Sequence, residues 1–231
     1  MSKLDCPVVF GTENLLLGLC ESVSSVLGKA SGGEVRYSGM VQKITKTCLK
    51  PDIGCFVLFD GGFSGLVVMN FSADAAMELY QRYLLSMGMS ASELASSHTS
   101  DEVSNVMGEL MNQIVGDFTS KVGRELQTQI TQSQPKMLVL NKQVILSVDT
   151  KLDQPEARRV TFYTEGNKVF YLELAVDRTE FIKMVDFEPA EVVDPDQLLA
   201  QNGFGHQHAT SAQGAAAGEE DPDELLKSLG M

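Results

Sequence analysis

Glu102, Asn105, Glu109, Asn112 and Gly116 step along the chain by three and four residues. In a helix that spacing stacks them on one face. Carboxylates, two amides and a small residue then form a polar strip of little bulk, flanked by Asp101 and Gly108. Asn is a weak helix former, and Gly108 and Gly116 each cost about 1 kcal/mol relative to Ala inside a helix. A helix kept only for packing would use Lys, Glu, Gln or Ala there. The strip therefore predicts a surface that needs close approach and amide groups. A solvated helix face is the alternative.

The elements that position this strip follow from hydrophobic periodicity. Val103, Val106, Met107, Leu110, Ile114, Phe118, Val122, Leu126 and Ile130 recur at three and four residues. They predict one long amphipathic helix over residues 100–132, ended by Pro135. A first helix is expected over 12–29, capped by Gly11 or Thr12 and closed at Gly28 and the Ser31-Gly32-Gly33 run. Residues 34–46, 53–59 and 63–71 read as strands, with a hairpin signal at Asp60-Gly61-Gly62. Ser72-Ala73-Asp74 starts a helix that runs to about Met87, closed by Gly88. Residues 137–148, 158–164 and 168–176 read as three further strands, the last two joined at Glu165-Gly166-Asn167. The order α-βββ-αα-βββ predicts an α+β domain over residues 1–185, an antiparallel-rich sheet packed with helices. Met77, Met87, Met89, Met107 and Met111 are expected as core filler.

Composition bounds the partners. The 231 residues carry a net charge of −13. From Asp186 onward ten acids face the single Lys227, so most of the negative excess lies in the last fifth of the chain. There is no basic run, which argues against nucleic acid and anionic membrane as partners. The most apolar stretch, 55–71, is interrupted by Asp60-Gly61-Gly62 and is too short to span a bilayer. No signal peptide is expected, because Asp5 and Pro7 interrupt the N-terminal residues before any apolar run develops. Cys6, Cys20, Cys48 and Cys55 form no C-x-x-C pair, so reduced thiols in a cytoplasmic protein are expected. His98, His206 and His208 are too scattered for a metal site. No phosphate-binding G-x-x-x-x-G-K-S/T loop, G-x-S-x-G elbow or H-E-x-x-H helix is present.

Residues 186–218 form an acidic and then Gly/Ala/Gln-rich linker that cannot pack a core. Residues 219–231, EEDPDELLKSLGM, form a short acidic peptide bearing Leu225, Leu226 and Leu229. Pro222 suits the first turn of a helix and the acids suit its N-terminus. An amphipathic docking helix on a tether is expected, with a merely solubilising tail as the alternative. The peptide resembles the acidic D-E-I-D-A-L-L segment by which flagellar switch proteins capture a chemotaxis response regulator.

Glu109-Leu110-Met111-Asn112 also resembles a family motif, the E-x-x-N helix of the CheC/CheX/FliY phosphatases. That family's pattern is Asp or Ser, three residues, Glu, two residues, Asn, then 22 residues and Pro. Asn112 and Pro135 enclose 22 residues, so the Pro matches. Asn105 stands at the Asp/Ser position and departs from the pattern. Glu102-Val103-Ser104-Asn105 is a second E-x-x-N, but its Pro position is Thr128. The resemblance extends to the element order over residues 12–176. A single motif copy makes CheX the nearer relative within the family.

The resemblance implies a substrate, the aspartyl phosphate of a CheY-like receiver. The receiver would bring the phosphoryl group and its own Mg²⁺, so no cofactor of this chain's own is expected. Asn112 would orient the attacking water, and Glu109 would grip the receiver's active-site Lys. Gly108 and Gly116 would admit the receiver backbone or a neighbouring element, and Asn105 would shape the same surface. A homodimer through exposed sheet edges is also implied. Two rivals keep the fold and change the role: an inactive adaptor that binds a receiver through its tail, and a flagellar-switch-like scaffold.

Overall fold

In a computed structural model the described residues are 8–140 and 142–183. The linker and the peptide with Leu225, Leu226 and Leu229 lie outside them. Three α-helices occur among the described residues. Helix α1 spans Thr12–Ser31, α2 Ala73–Ser86 and α3 Asp101–Leu126. The strands are β1 (Val8–Phe10), β2 (Arg36–Ile44), β3 (Thr47–Leu49), β4 (Ile53–Gly61), β5 (Gly65–Phe71), β6 (Ile130–Gln132), β7 (Lys136–Val139), β8 (Leu146–Val148), β9 (Pro155–Tyr163), β10 (Val169–Asp177) and β11 (Phe181–Lys183). The α+β class and the antiparallel sheet packed with helices are as the sequence predicts.

The central sheet has the order β2-β9-β10-β5-β4, and both β6 and β7 pair with the far side of β4. Every pairing is antiparallel. One face buries Val57, Phe59, Met69, Phe71, Phe162, Phe170 and Leu172 against the helices. Helix α3 contributes Val103, Met107, Leu110, Ile114, Phe118 and Val122 to that layer, which is the stripe read from the sequence. Burial of such side chains contributes about 1.5–3 kcal/mol each before entropy is counted.

The opposite face carries a smaller core of Leu49, Leu66, Val68, Leu140, Ala157 and Ala175. Its polar centre is Glu173 on β10, with no exposed surface. Arg159 on the adjacent β9 donates to Glu173 Oε1 over 2.8 Å. The backbone N–H of Cys48 donates to Glu173 Oε2 over 2.8 Å. Asn70 on β5 completes the dock, accepting from the Lys50 backbone at 2.6 Å and donating to the Cys48 carbonyl at 2.9 Å. These bonds hold β3 to the sheet, where it pairs with β8.

Several boundaries differ from expectation. Helix α3 stops at Leu126 rather than near Gln132. Gln127 takes a left-handed conformation, φ 52° and ψ 42°, and its N–H bonds back to the Gly123 carbonyl. Thr128 bonds to the same carbonyl at 3.0 Å. A Cβ at Gly123 would sit 2.9 Å from the Thr128 carbonyl oxygen, so glycine permits the reversal. Ile130 therefore belongs to β6, and Pro135 follows that strand instead of ending the helix. Residues 137–148 split into β7 on β4 and β8 on β3. Gly61 ends β4 and faces Ile130. A Cβ there would collide with the Gln129 carbonyl, so this glycine serves the approach of the post-helix segment more than the turn. Met87 and Met89 lie exposed past the end of α2, whereas Met107 and Met111 are core. The short strands β1, β3 and β11 were not anticipated.

Candidate functional site

Helix α3 is fixed at its start by Ser100, whose Oγ accepts from the Val103 N–H at 3.3 Å. Asp101 and Glu102 lie in the first turn, where negative charge suits the helix dipole. Because Val103, Met107, Leu110 and Ile114 face the core, Asn105, Glu109 and Asn112 are turned outward and exposed. The predicted strip is thus presented to solvent by the packing of the opposite face.

The strip has a facing wall. Strand β6 is anchored to one end of β4 through Phe59, Asp60 and Gly61, and β7 to the other through Ile53 to Phe56. The link between them is tied to Leu58 twice. The Ser133 N–H donates to the Leu58 carbonyl at 2.8 Å, and the Leu58 N–H donates to Ser133 Oγ at 3.1 Å. Gln134 and Pro135 follow, and with Met137 they run alongside α3. Pro lacks an N–H and suits this position, between strands at the sheet margin.

Between these walls lies an open groove of about 410 Å³, lined by Ser104, Asn105, Gly108, Glu109 and Asn112 on α3 and by Gln134, Pro135 and Met137 opposite. Four of the sequence-predicted site residues, Asn105, Gly108, Glu109 and Asn112, are therefore brought together, and Pro135, expected to end the helix, lies opposite them. Glu102 and Gly116 are not part of this lining. Gly116 sits one turn beyond, where a Cβ would come 4.0 Å from Gln132 Nε2. A Cβ at Gly108 would meet Met137 Cγ at 3.5 Å, ordinary contact. Among the described residues nothing packs closely enough to demand either glycine.

Two hydrogen bonds set the functional side chains. Gln113 Nε2 donates to Glu109 Oε1 over 2.9 Å. Gln132 Nε2 donates to Asn112 Oδ1 over 2.7 Å, and also reaches the Asn112 backbone carbonyl at 3.4 Å. Sequence reasoning missed Gln132, Gln134, Met137 and Ser104. The 22-residue spacing to Pro135 was the signal that could have directed attention to the 132–137 stretch.

The groove offers one carboxylate and three side-chain amides, Asn105, Asn112 and Gln134. It can hold a cationic group at Glu109 and donate or accept hydrogen bonds at Asn112 and Asn105. Among the described residues no group of three or more His, Cys, Asp or Glu comes together. No helix among the described residues is long and apolar enough to cross a membrane.

Residues 6–231 match the family described as "Protein of unknown function (DUF3334)". No curated protein sequence matches the chain. Solved structures do. A chemotaxis protein CheX from Desulfovibrio desulfuricans superposes with a TM-score of 0.58 at 16% identity, covering 71% of this chain and 99% of that one. A CheC-like superfamily protein from Shewanella sp. PV-4 gives 0.58 at 16% identity, covering 71% and 97%. The CheX-CheY-BeF3-Mg²⁺ complex from Borrelia burgdorferi matches with 0.55 at 15% identity, covering 71% and 98%. What these proteins share with the present chain is the fold.

Proposed function

Since the chain belongs to the DUF3334 family and has the CheX/CheC fold, we propose that it accelerates hydrolysis of the aspartyl phosphate of a CheY-like response regulator. The observation that carries this reading is the groove, in which Glu109 and Asn112 stand exposed one helical turn apart with Pro135 facing them. One neighbour of the fold is recorded in complex with CheY, which supports a receiver as the partner.

In this reading the receiver supplies the phosphoryl group and its Mg²⁺, and the present chain supplies position. Phosphoryl transfer demands an in-line water and stabilised charge, with little covalent work left to the protein. Asn112 enters the receiver site and holds the water by its amide. Glu109 accepts a charge-assisted hydrogen bond from a receiver lysine and fixes the docking angle. Asn105 and Gly108 lie under the incoming backbone. The water attacks phosphorus, the bond to the aspartyl oxygen breaks, and inorganic phosphate and a free carboxylate result.

The peptide 219–231 is the second contact in this reading. The Gly/Ala/Gln-rich part of its linker, the 17 residues 202–218, spans about 20–25 Å r.m.s. as a flexible chain. Tethering at that range supplies roughly millimolar effective concentration. Leu225, Leu226 and Leu229 pack into a groove on the receiver. A receiver partner places the protein in the cytoplasm. Dimerisation belongs to the same proposal: among the described residues β2 pairs with β9 on one side only, and Tyr37, Met40 and Val41 are exposed on it. An open edge strand of this kind invites pairing with a second copy.

One observation favours the adaptor alternative, the Asn105 that replaces the family's Asp or Ser. The test is loss of the phosphoryl group from a panel of phosphorylated receivers of the same cell. Acceleration with at least one receiver supports the phosphatase. Binding of a receiver without acceleration of any favours the adaptor.

A further inference from the structure

Gln132 is an unusual residue to find where it is. Its backbone is fixed, because it ends β6 opposite Phe59 of β4 and is followed by the doubly anchored Ser133. Its side chain crosses to α3, where a Cβ on Gly116 would lie 4.0 Å from its Nε2, at ordinary contact distance. Its Oε1 is buried and has no hydrogen-bond partner among the described residues. An amide with an orphaned buried oxygen is a poor choice for stability, since a Met of the same length would leave nothing unsatisfied.

What the amide does instead is hold Asn112. Two carbonyl oxygens of Asn112, Oδ1 at 2.7 Å and the backbone oxygen at 3.4 Å, face the same end of Gln132. The backbone oxygen can only accept, so that end of Gln132 is the NH₂. Asn112 Oδ1 is then the atom turned to Gln132, and Asn112 Nδ2 is turned away from it.

We propose that Gln132 is a positioning residue of this site: by holding Asn112 Oδ1 it sets which end of the Asn112 amide is offered to the partner. The NH₂ is presented as a donor, while Oδ1 keeps a second lone pair at the margin. The inference rests on the phosphatase reading for its kinetic consequence, but its structural content stands apart from it.

The experiment uses the full chain with Gln132→Met and Gln132→Glu. Loss of one orienting hydrogen bond is expected to lower kcat for receiver dephosphorylation about tenfold in Gln132→Met. KM should change little, and the melting temperature should hold or rise. The Asn112 side-chain NH₂ resonances, identified by their loss in Asn112→Asp, should shift in both variants. In Gln132→Glu an acceptor-only carboxylate meets Asn112 Oδ1, so the amide must turn and kcat should fall at least as far.

Unchanged kcat in an active background, or unshifted Asn112 resonances, would overturn the proposal. So would a fall in kcat that merely tracks a fall in melting temperature. If the wild-type chain accelerates no receiver, the phosphatase reading fails, and the Asn112 resonances alone decide whether Gln132 orients it.

Discussion

Gln113 Nε2 lies 2.9 Å from Glu109 Oε1, one turn further along α3. The bond leaves Glu109 exposed at the groove while restricting its rotamers, so one carboxylate oxygen stays available for a cation. A pre-oriented carboxylate loses less entropy when it engages a partner.

Replacing Glu109 should therefore act on docking more than on chemistry. Glu109→Gln keeps the shape and removes the charge, and hydrogen bonds to charged groups contribute about 1.5–3 kcal/mol. We expect KM for the phosphorylated receiver to rise about tenfold or more, with a smaller change in kcat. Steady-state phosphate release against receiver concentration checks this, and an unchanged KM would remove Glu109 from the docking contact.

Gly108 gives a second test, because stability and function should move in opposite directions. Among the described residues a Cβ there meets only Met137 Cγ, at 3.5 Å. Gly108→Ala should therefore raise stability, by up to about 1 kcal/mol from helix propensity. If a receiver backbone approaches this position, the same substitution should weaken its engagement. Thermal melts and receiver titrations on one preparation would show both effects. A stabilised variant with undiminished receiver affinity would mean that the partner does not approach Gly108.

The tether makes a prediction of another kind. Removing residues 219–231 should raise the receiver concentration needed for half-maximal rate and leave the maximal rate unchanged. If that concentration does not move, the peptide is not a docking element for the substrate.

Glu173 tests the fold rather than the site. It is fully buried and answered by Arg159 and by the Cys48 N–H. Glu173→Ala removes the carboxylate from Arg159, which keeps its bond to Gln42 Oε1, and from the Cys48 N–H, which should cost about 3–5 kcal/mol. Urea unfolding measures this, and a loss below about 1 kcal/mol would mean that the network rearranges around the gap.

These residues also show where sequence reading succeeds and stops. The apolar stripe of α3 was legible because packing on one face imposes a period that Val103, Met107, Leu110, Ile114, Phe118 and Val122 obey. The same stripe fixed the outward direction of Asn105, Glu109 and Asn112. Ile130 kept the helical spacing yet lies in β6, since nothing in the residue type of Gln127 announces a left-handed turn. Pro135 was expected to end the helix, and its 22-residue spacing from Asn112 did not show that it faces the groove, because that placement depends on two strands pairing with β4. Strand β3 is three residues long and held by Glu173 and Asn70, and hydrophobic periodicity does not register a dock made of polar groups. The Gln132–Asn112 bond joins residues 20 apart, and only the reversal after α3 brings them together.

The most direct measurement is phosphate release from a cognate phosphorylated receiver in single turnover, wild type and Asn112→Ala side by side, with binding of the receiver measured for both. The wild type should accelerate release, Asn112→Ala should fall at least about 100-fold below it, and the two should bind the receiver equally. Acceleration that survives in Asn112→Ala would contradict the water-holding role of Asn112.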